Sequence, residues 1–189
     1  MPFIPLLASS PLSPFSGTEL SVEIALMQQG QATGANGWAP LGIFSIATAT
    51  IADSGADFEL TLDLYDRSWQ FSQWQLLQNY TVPASTGTLE AEVVALLSYI
   101  WNNNGPGRAI AGSQPLPSWI TSPNFLGVVG TPWVCPAGTY QQGQDPWQAC
   151  IDMANSAGFE LFFDMNGILT GKPSPGSAAS GTTLSQLPV

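Results

Sequence analysis

Few residues of this chain could do acid–base or nucleophilic chemistry. Histidine is absent, which removes imidazole general bases, His-based triads and most zinc sites. One string has a catalytic spacing, Asp53-Ser54-Gly55, with Ile51 before it and Ala56-Asp57 behind it. Two such loops, one from each of two copies, would bring facing carboxylates together to share a proton. The plainer reading is a turn between two strands, opened by Asp and completed by Gly. Cys135 and Cys150 stand 15 positions apart and read as two free, buried thiols, with a single disulfide as the lesser alternative. Two cysteines without histidine cannot close a zinc site. The 13 acids follow no pattern that pairs carboxylates for glycoside hydrolysis. No motif calls for a cofactor or a metal.

Asp66-Arg67-Ser68 is the next candidate. The chain has three Lys+Arg in all, so an arginine at a strand end beside Asp66 reads as a buried clamp. Seven tryptophans, among them Trp69, Trp74, Trp101, Trp119, Trp133 and Trp147, could stack on sugars. Core or interface anchoring is the commoner use of such rings. Asp53-Ser54-Gly55-Ala56 is similar to the active-site loop of retropepsin-like aspartic proteases. That family also needs a glycine-flanked apolar strand, which Gly107-Arg108-Ala109-Ile110-Ala111-Gly112 imitates poorly.

The elements that position these residues follow from periodicity. Residues 1–17 hold four prolines and read as an extended arm. From Thr18 to Met27, Leu20, Val22, Ile24 and Leu26 alternate with Glu19, Ser21, Glu23 and Ala25, the pattern of a half-buried strand. Gln28 to Pro40 reads as a polar, Gly-rich loop, and Leu41 to Ile51 as a strand. Phe58, Leu60, Leu62 and Leu64 alternate with Glu59, Thr61, Asp63 and Tyr65, so an antiparallel meander is expected. Thr88 caps a helix over 88–102 with a stripe of Leu89, Val93, Leu97 and Ile100. Residues 104–144 are a Gly/Pro-rich excursion in which Phe125 to Val129 could form a strand.

Asp145 caps a second helix, with Pro146 at its first position and Gly158 as its left-handed stop. Its stripe is expected to be Trp147, Cys150, Ile151, Ala154 and Ala157, with Trp147 anchoring it to the sheet. Asn166-Gly167 between apolar runs signals a tight hairpin turn of the type with positive φ at both central residues. The expected organisation is therefore an arm over 1–17, a β-meander domain over 18–103, the excursion 104–144, a helix–hairpin segment over 145–173 and a flexible tail over 174–189. The fold class is mainly β with two helices (α+β): an antiparallel, tube-like barrel or sandwich plus the helix–hairpin segment.

Charge is the unusual feature. Sixteen charged residues make 8% of the chain, against about 25% in a typical domain. A compact monomer of this mass would expose roughly 8,700 Å². That is about one charge per 540 Å², where a typical domain carries about one per 185 Å². A surface so poor in charge invites self-association, so other protein chains are expected to cover much of it. A net charge of −10 excludes a phosphate-gripping nucleic-acid binder and disfavours an anionic membrane. No apolar run approaches a membrane span. Met1-Pro2-Phe3-Ile4-Pro5, without a basic region and broken by prolines, reads poorly as a signal peptide.

Four blocks, in order, carry a family resemblance. They are Pro11 to Leu20; Leu41-Gly42-Ile43-Phe44-Ser45-Ile46; Leu62-Asp63-Leu64-Tyr65-Asp66-Arg67-Ser68; and Asp145-Pro146-Trp147 through Asn166-Gly167. Over about residues 11–173 the chain resembles the tail hub, or baseplate hub, proteins of siphophages. The resemblance implies a non-enzymatic structural subunit of the tail tip, with no cofactor. Its partners would be tail-tube, distal-tail and tip proteins and further copies of itself in a trimeric ring. It would be assembled in the host cytoplasm and carried in the virion, with DNA passing through a lumen rather than held tightly. Family hubs tend to be longer, with β segments on both sides of this stretch. Asp66, Arg67, Ser68, Asp145, Trp147, Asn166 and Gly167 are the residues expected to hold the structure. A β-rich carbohydrate-binding or adhesion module using exposed tryptophans is the alternative, and the protease around Asp53 a further one.

Overall fold

The structure, a computed structural model, describes residues 19–25, 38–53, 58–83, 87–104, 116–125 and 134–174. The expected arm 1–17, the turn Ser54–Asp57, the stretch Gly107–Gly112, Trp133 and the tail beyond Ser174 lie outside the described residues. The chain falls into two compact units. Residues up to Trp69 and Phe163–Gly167 form the first; Gln70–Phe162 and the residues from Ile168 onward form the second. This division departs from the expected segments, because helix 89–103 belongs with the second unit and packs on helix 146–156.

The first unit is built on an antiparallel sheet of order β1-β2-β3, with β1 Glu19–Ala25, β2 Trp38–Asp53 and β3 Phe58–Tyr65. β2 starts inside the segment expected to be loop. Its 16 residues span about 50 Å at the rise of an extended strand. β1 pairs with residues 38–45 and β3 with residues 45–53. Two ribbons thus share one long strand and overlap only at Ser45. Each carries a bulge: Leu41 is skipped where Val22/Glu23 meet Gly42/Pro40, and Ala47 where Ile46/Thr48 meet Leu64/Asp63. Such bulges sharpen local twist. Among the described residues the sheet does not close, so the expected barrel is not formed there.

The second unit holds most of the buried core. Four helices are formed among the described residues, not two. α2 (Leu89–Asn103) buries Leu89, Val93, Leu96, Leu97, Ile100 and Trp101, the expected stripe widened by its i+3 and i+4 neighbours. Thr88 Oγ1 accepts the Ala91 N–H at 3.1 Å. α4 (Pro146–Ser156) buries Pro146, Ala149, Cys150, Met153 and Ala154. That face shares only Cys150 and Ala154 with the expected stripe, which sits about one position off. Pro146 itself is buried at the first turn, which sets the helix phase.

The additional helices are short: α1 (Ser68–Ser72) and α3 (Ser118–Thr121). α3 lies inside the 104–144 excursion, as do β5 (Asn124–Phe125) and β6 (Gly138–Tyr140). β6 pairs antiparallel with β4 (Tyr80–Val82). β5 pairs in parallel with β8 (Leu169–Pro173), which lies beside β7 (Phe159–Phe163) in the order β5-β8-β7. The class is mainly β with helices, as expected, with this one parallel pair.

Candidate functional site

Side chains alternate along a strand, and residues directly opposite one another share a face. Applied to the observed registers, this sorts the first sheet into two unlike surfaces. One face carries Leu20, Val22 and Ile24 of β1, Phe44, Ile46, Ala49 and Ile51 of β2, and Leu60, Leu62 and Leu64 of β3. The other carries Glu19, Ser21 and Glu23, then Ile43, Ser45, Thr48 and Thr50, then Glu59, Thr61, Asp63 and Tyr65, so it is polar but for Ile43 and the Tyr65 ring. The Thr48 hydroxyl donates to Asp63 Oδ2 at 2.8 Å across the second ribbon. Coverage of the apolar face fades along the second ribbon: Ile46 and Ala49 are buried, Leu62 is half-buried, and the paired Ile51 and Leu60 are exposed.

The polar face is tied by Arg67, which is 7% exposed. Its guanidinium meets Glu19 in a fork, Nε to Oε1 at 2.7 Å and Nη2 to Oε2 at 2.5 Å, and its Nη1 donates to the Gly167 carbonyl. Planar, two-point pairing of this kind is what arginine does and lysine cannot. The clamp is buried, as read from the sequence, but the carboxylate it grips lies 48 positions upstream. The signal available in the sequence was that Glu19 opens the polar side of the first alternating strand. Asp66 acts locally instead. Its Oδ1 accepts the Ser68 N–H at 3.0 Å and the Ser68 hydroxyl, which starts α1. Tyr65 stacks on Trp69 with ring centroids 5.4 Å apart.

Residues 163–167 complete this unit. The Gly167 N–H donates to the Asp164 carbonyl at 2.8 Å, and the Asn166 N–H to Asp164 Oδ1 at 2.9 Å. The turn thus runs from Asp164 to Gly167 with Met165 and Asn166 at its centre. The expected two-residue Asn166-Gly167 turn is displaced by one position, because the Asp164 carboxylate closes the earlier turn. Gly167 follows with φ +67°, the left-handed position that ends such a connection. A Cβ there would stand 2.7 Å from Arg67 Nη1 and 3.1 Å from Ile43 Cβ.

In the second unit Asp145 Oδ1 accepts the N–H groups of Trp147, at 2.7 Å, and Gln148, at 3.2 Å. Trp147 is half-buried beside the packed face of α4 rather than within it. Asp145→Ala should cost about 1 kcal/mol, the usual worth of an N-cap, and Asp145→Ser should recover most of it. Thermal unfolding followed by circular dichroism of the two variants is the check.

The remaining reactive groups are quiet. Cys135 and Cys150 are free and buried. Burial, then Glu92, pushes the Cys135 thiol up to about 11; burial, then Asp145, pushes Cys150 up as well. Tyr80 and Tyr140, cross-strand partners, are each raised to about 12, chiefly by burial. Thiols so raised are protonated at neutral pH and are poor nucleophiles. Among the described residues no group of His, Cys, Asp and Glu is placed to hold a metal ion, and no helix is long and apolar enough to cross a membrane. Of the described tryptophans only Trp38 is exposed; the others are half-buried or buried. Asp53 ends β2, and the rest of its catalytic-looking string lies outside the described residues.

No protein-family model matches the chain, and no curated protein matches it. Among solved structures it is similar to the crystal structure of the tail protein from Neisseria meningitidis MC58, with a TM-score of 0.52 and 17% identity. The match covers 70% of this chain and 34% of that one, so the chain spans about a third of the length of that protein. At such low identity the likeness is one of fold.

Proposed function

We propose that this chain is a non-enzymatic structural subunit of a phage tail, placed in the hub ring at the distal end of the tail tube. Its partners are then further copies of itself, in a trimeric ring, and the neighbouring tube, distal-tail and tip proteins. It works in the virion after assembly in the host cytoplasm. The observation that carries this reading is the segregation of the first sheet. Exposed carboxylates at 23, 59 and 63 lie on one face, beside the Glu19–Arg67 pair, and an apolar surface lies on the other, in a fold similar to that of a tail protein. A ring subunit needs both: an apolar side for its neighbours, and an acidic side that repels DNA passing down a lumen.

The experiment is charge reversal on the polar face. Virions carrying Glu59→Lys and Asp63→Lys should assemble and adsorb normally yet eject their genome at least tenfold more slowly, read by dye entry into the host. Ejection at the parental rate from particles shown to contain the variant would sink the lumen assignment. An electron micrograph of virions labelled through this chain tests the position: label away from the tail tip overturns it.

A further inference from the structure

Asparagine followed by glycine is the pair most prone to modify itself, because no side chain shields the glycine nitrogen from the neighbouring amide. The chain has three such pairs, at Asn36, Asn104 and Asn166, and Asn166-Gly167 is the one with both residues described. Asn166 is exposed and Gly167 is buried. The reaction needs the Gly167 nitrogen to shed its proton, turn toward Asn166 Cγ and bond to it. In the structure that nitrogen is engaged elsewhere: its N–H donates to the Asp164 carbonyl at 2.8 Å. The Asp164 carboxylate, which accepts the Asn166 N–H at 2.9 Å, sets a negative charge beside the peptide, and that disfavours loss of the proton. Gly167 is also gripped through its carbonyl by Arg67, itself fixed by Glu19. Arg67 and Ile43 stand so close that not even a Cβ fits on this residue without displacing them.

We propose that Asn166-Gly167 is a self-modification site held shut by the Arg67 clamp, and that the modification unlatches the first unit for good. Local opening of the clamp frees Gly167. Its nitrogen then gives its proton to solvent and attacks Asn166 Cγ. The Cγ–Nδ2 bond breaks, and Nδ2 takes a proton from solvent and leaves as ammonia. Water opens the resulting cyclic imide on either side of the nitrogen. Breaking its bond to Cγ gives aspartate; breaking the original peptide bond gives isoaspartate. Water is the sole co-reactant, and nothing is oxidised or reduced. Isoaspartate carries the main chain through its side chain, lengthens it by one carbon and leaves a new carboxylate beside Asp164. The longer chain moves the Gly167 carbonyl away from Arg67, and the paired carboxylates repel. An opening event is thereby recorded in the covalent structure and is not reversed by refolding. This site is independent of the tail reading.

The test uses the full chain at mildly alkaline pH, with conversion at each asparagine followed by peptide mapping. The folded chain should convert Asn166 at least tenfold more slowly than the same chain in urea; equal rates overturn the protection. Arg67→Ala should speed conversion at Asn166 at least fivefold while Asn104, in the second unit, keeps its parental rate. If Arg67→Ala speeds both sites alike, the variant has unfolded, and Glu19→Gln, which weakens the fork but keeps the arginine, decides. It should speed Asn166 at least twofold and leave Asn104 unchanged. Acceleration of both sites by Glu19→Gln, or of neither site by either variant, overturns the clamp as the gate. The isoaspartyl fraction, separated by chromatography, should melt well below Asn166→Asp, which carries the added charge on an unaltered main chain. Equal melting of the two overturns the latch.

Discussion

Gly167→Val should lower the melting temperature of the first unit by about 10 °C. Two costs add. A residue with a Cβ pays about 1–2 kcal/mol in the left-handed region, and a β-branched one fits it worst. The new side chain also meets Arg67, which is fixed by Glu19 and cannot swing away without breaking its fork. Losing the bond from Arg67 leaves the buried Gly167 carbonyl unsatisfied, at about 1–3 kcal/mol. The total of about 3–4 kcal/mol corresponds to roughly 10 °C in a chain of this size. A double-mutant cycle separates the terms. In an Arg67→Ala background Gly167→Val should cost only its backbone strain and the close approach to Ile43. An equal cost in both backgrounds would mean that the two residues are not coupled.

Phe71→Ala should be of similar size in the second unit. Phe71 is fully buried and is one corner of a closed circuit of four rings. It meets Trp74 at 5.6 Å and Trp119 at 6.0 Å, and Trp101 meets both of those at 6.5 and 6.1 Å, all four contacts close to perpendicular. Truncating a buried phenylalanine costs about 3–5 kcal/mol, part of it from edge-to-face contacts. Tryptophan emission should shift to the red as water reaches the remaining rings, and Phe71→Leu should recover about half of the stability. A loss below about 1 kcal/mol would mean that the circuit repacks without this ring.

What the sequence displayed, and what it hid, divides along one line. Features set by residues a few positions apart were legible. The alternation at 19–25 and 58–65 gave strands with the observed faces, and Asp145-Pro146 and Gly158 bracketed α4. Features set by distant partners were not. β4, β5 and β6 have two or three residues each and exist because another strand pairs with them, so they leave no period. Trp38–Pro40 looked like loop because it ends the polar, Gly-rich run from Gln28 and closes on a proline, yet β1 pairs along it and draws it into β2. At the clamp, Arg67 was readable as buried from the scarcity of cations. Its fork on Glu19 and its bond to the Gly167 carbonyl join positions 48 and 100 residues away, a spacing no local pattern encodes. The phase of α4 was set one position off by placing Trp147 at its centre, whereas the packed face runs through Pro146, Ala149 and Met153.

The return of residues 163–167 to the first unit has an evolutionary corollary. A gene fragment stopping after Trp69 would encode all three strands of the sheet but leave out the carbonyl that Arg67 holds. The sheet is therefore not a cassette that recombination can cut out and graft by itself. Exchange between related genomes should preserve the span from Glu19 to Gly167 as one inherited block, and crossovers should be rare between those two positions.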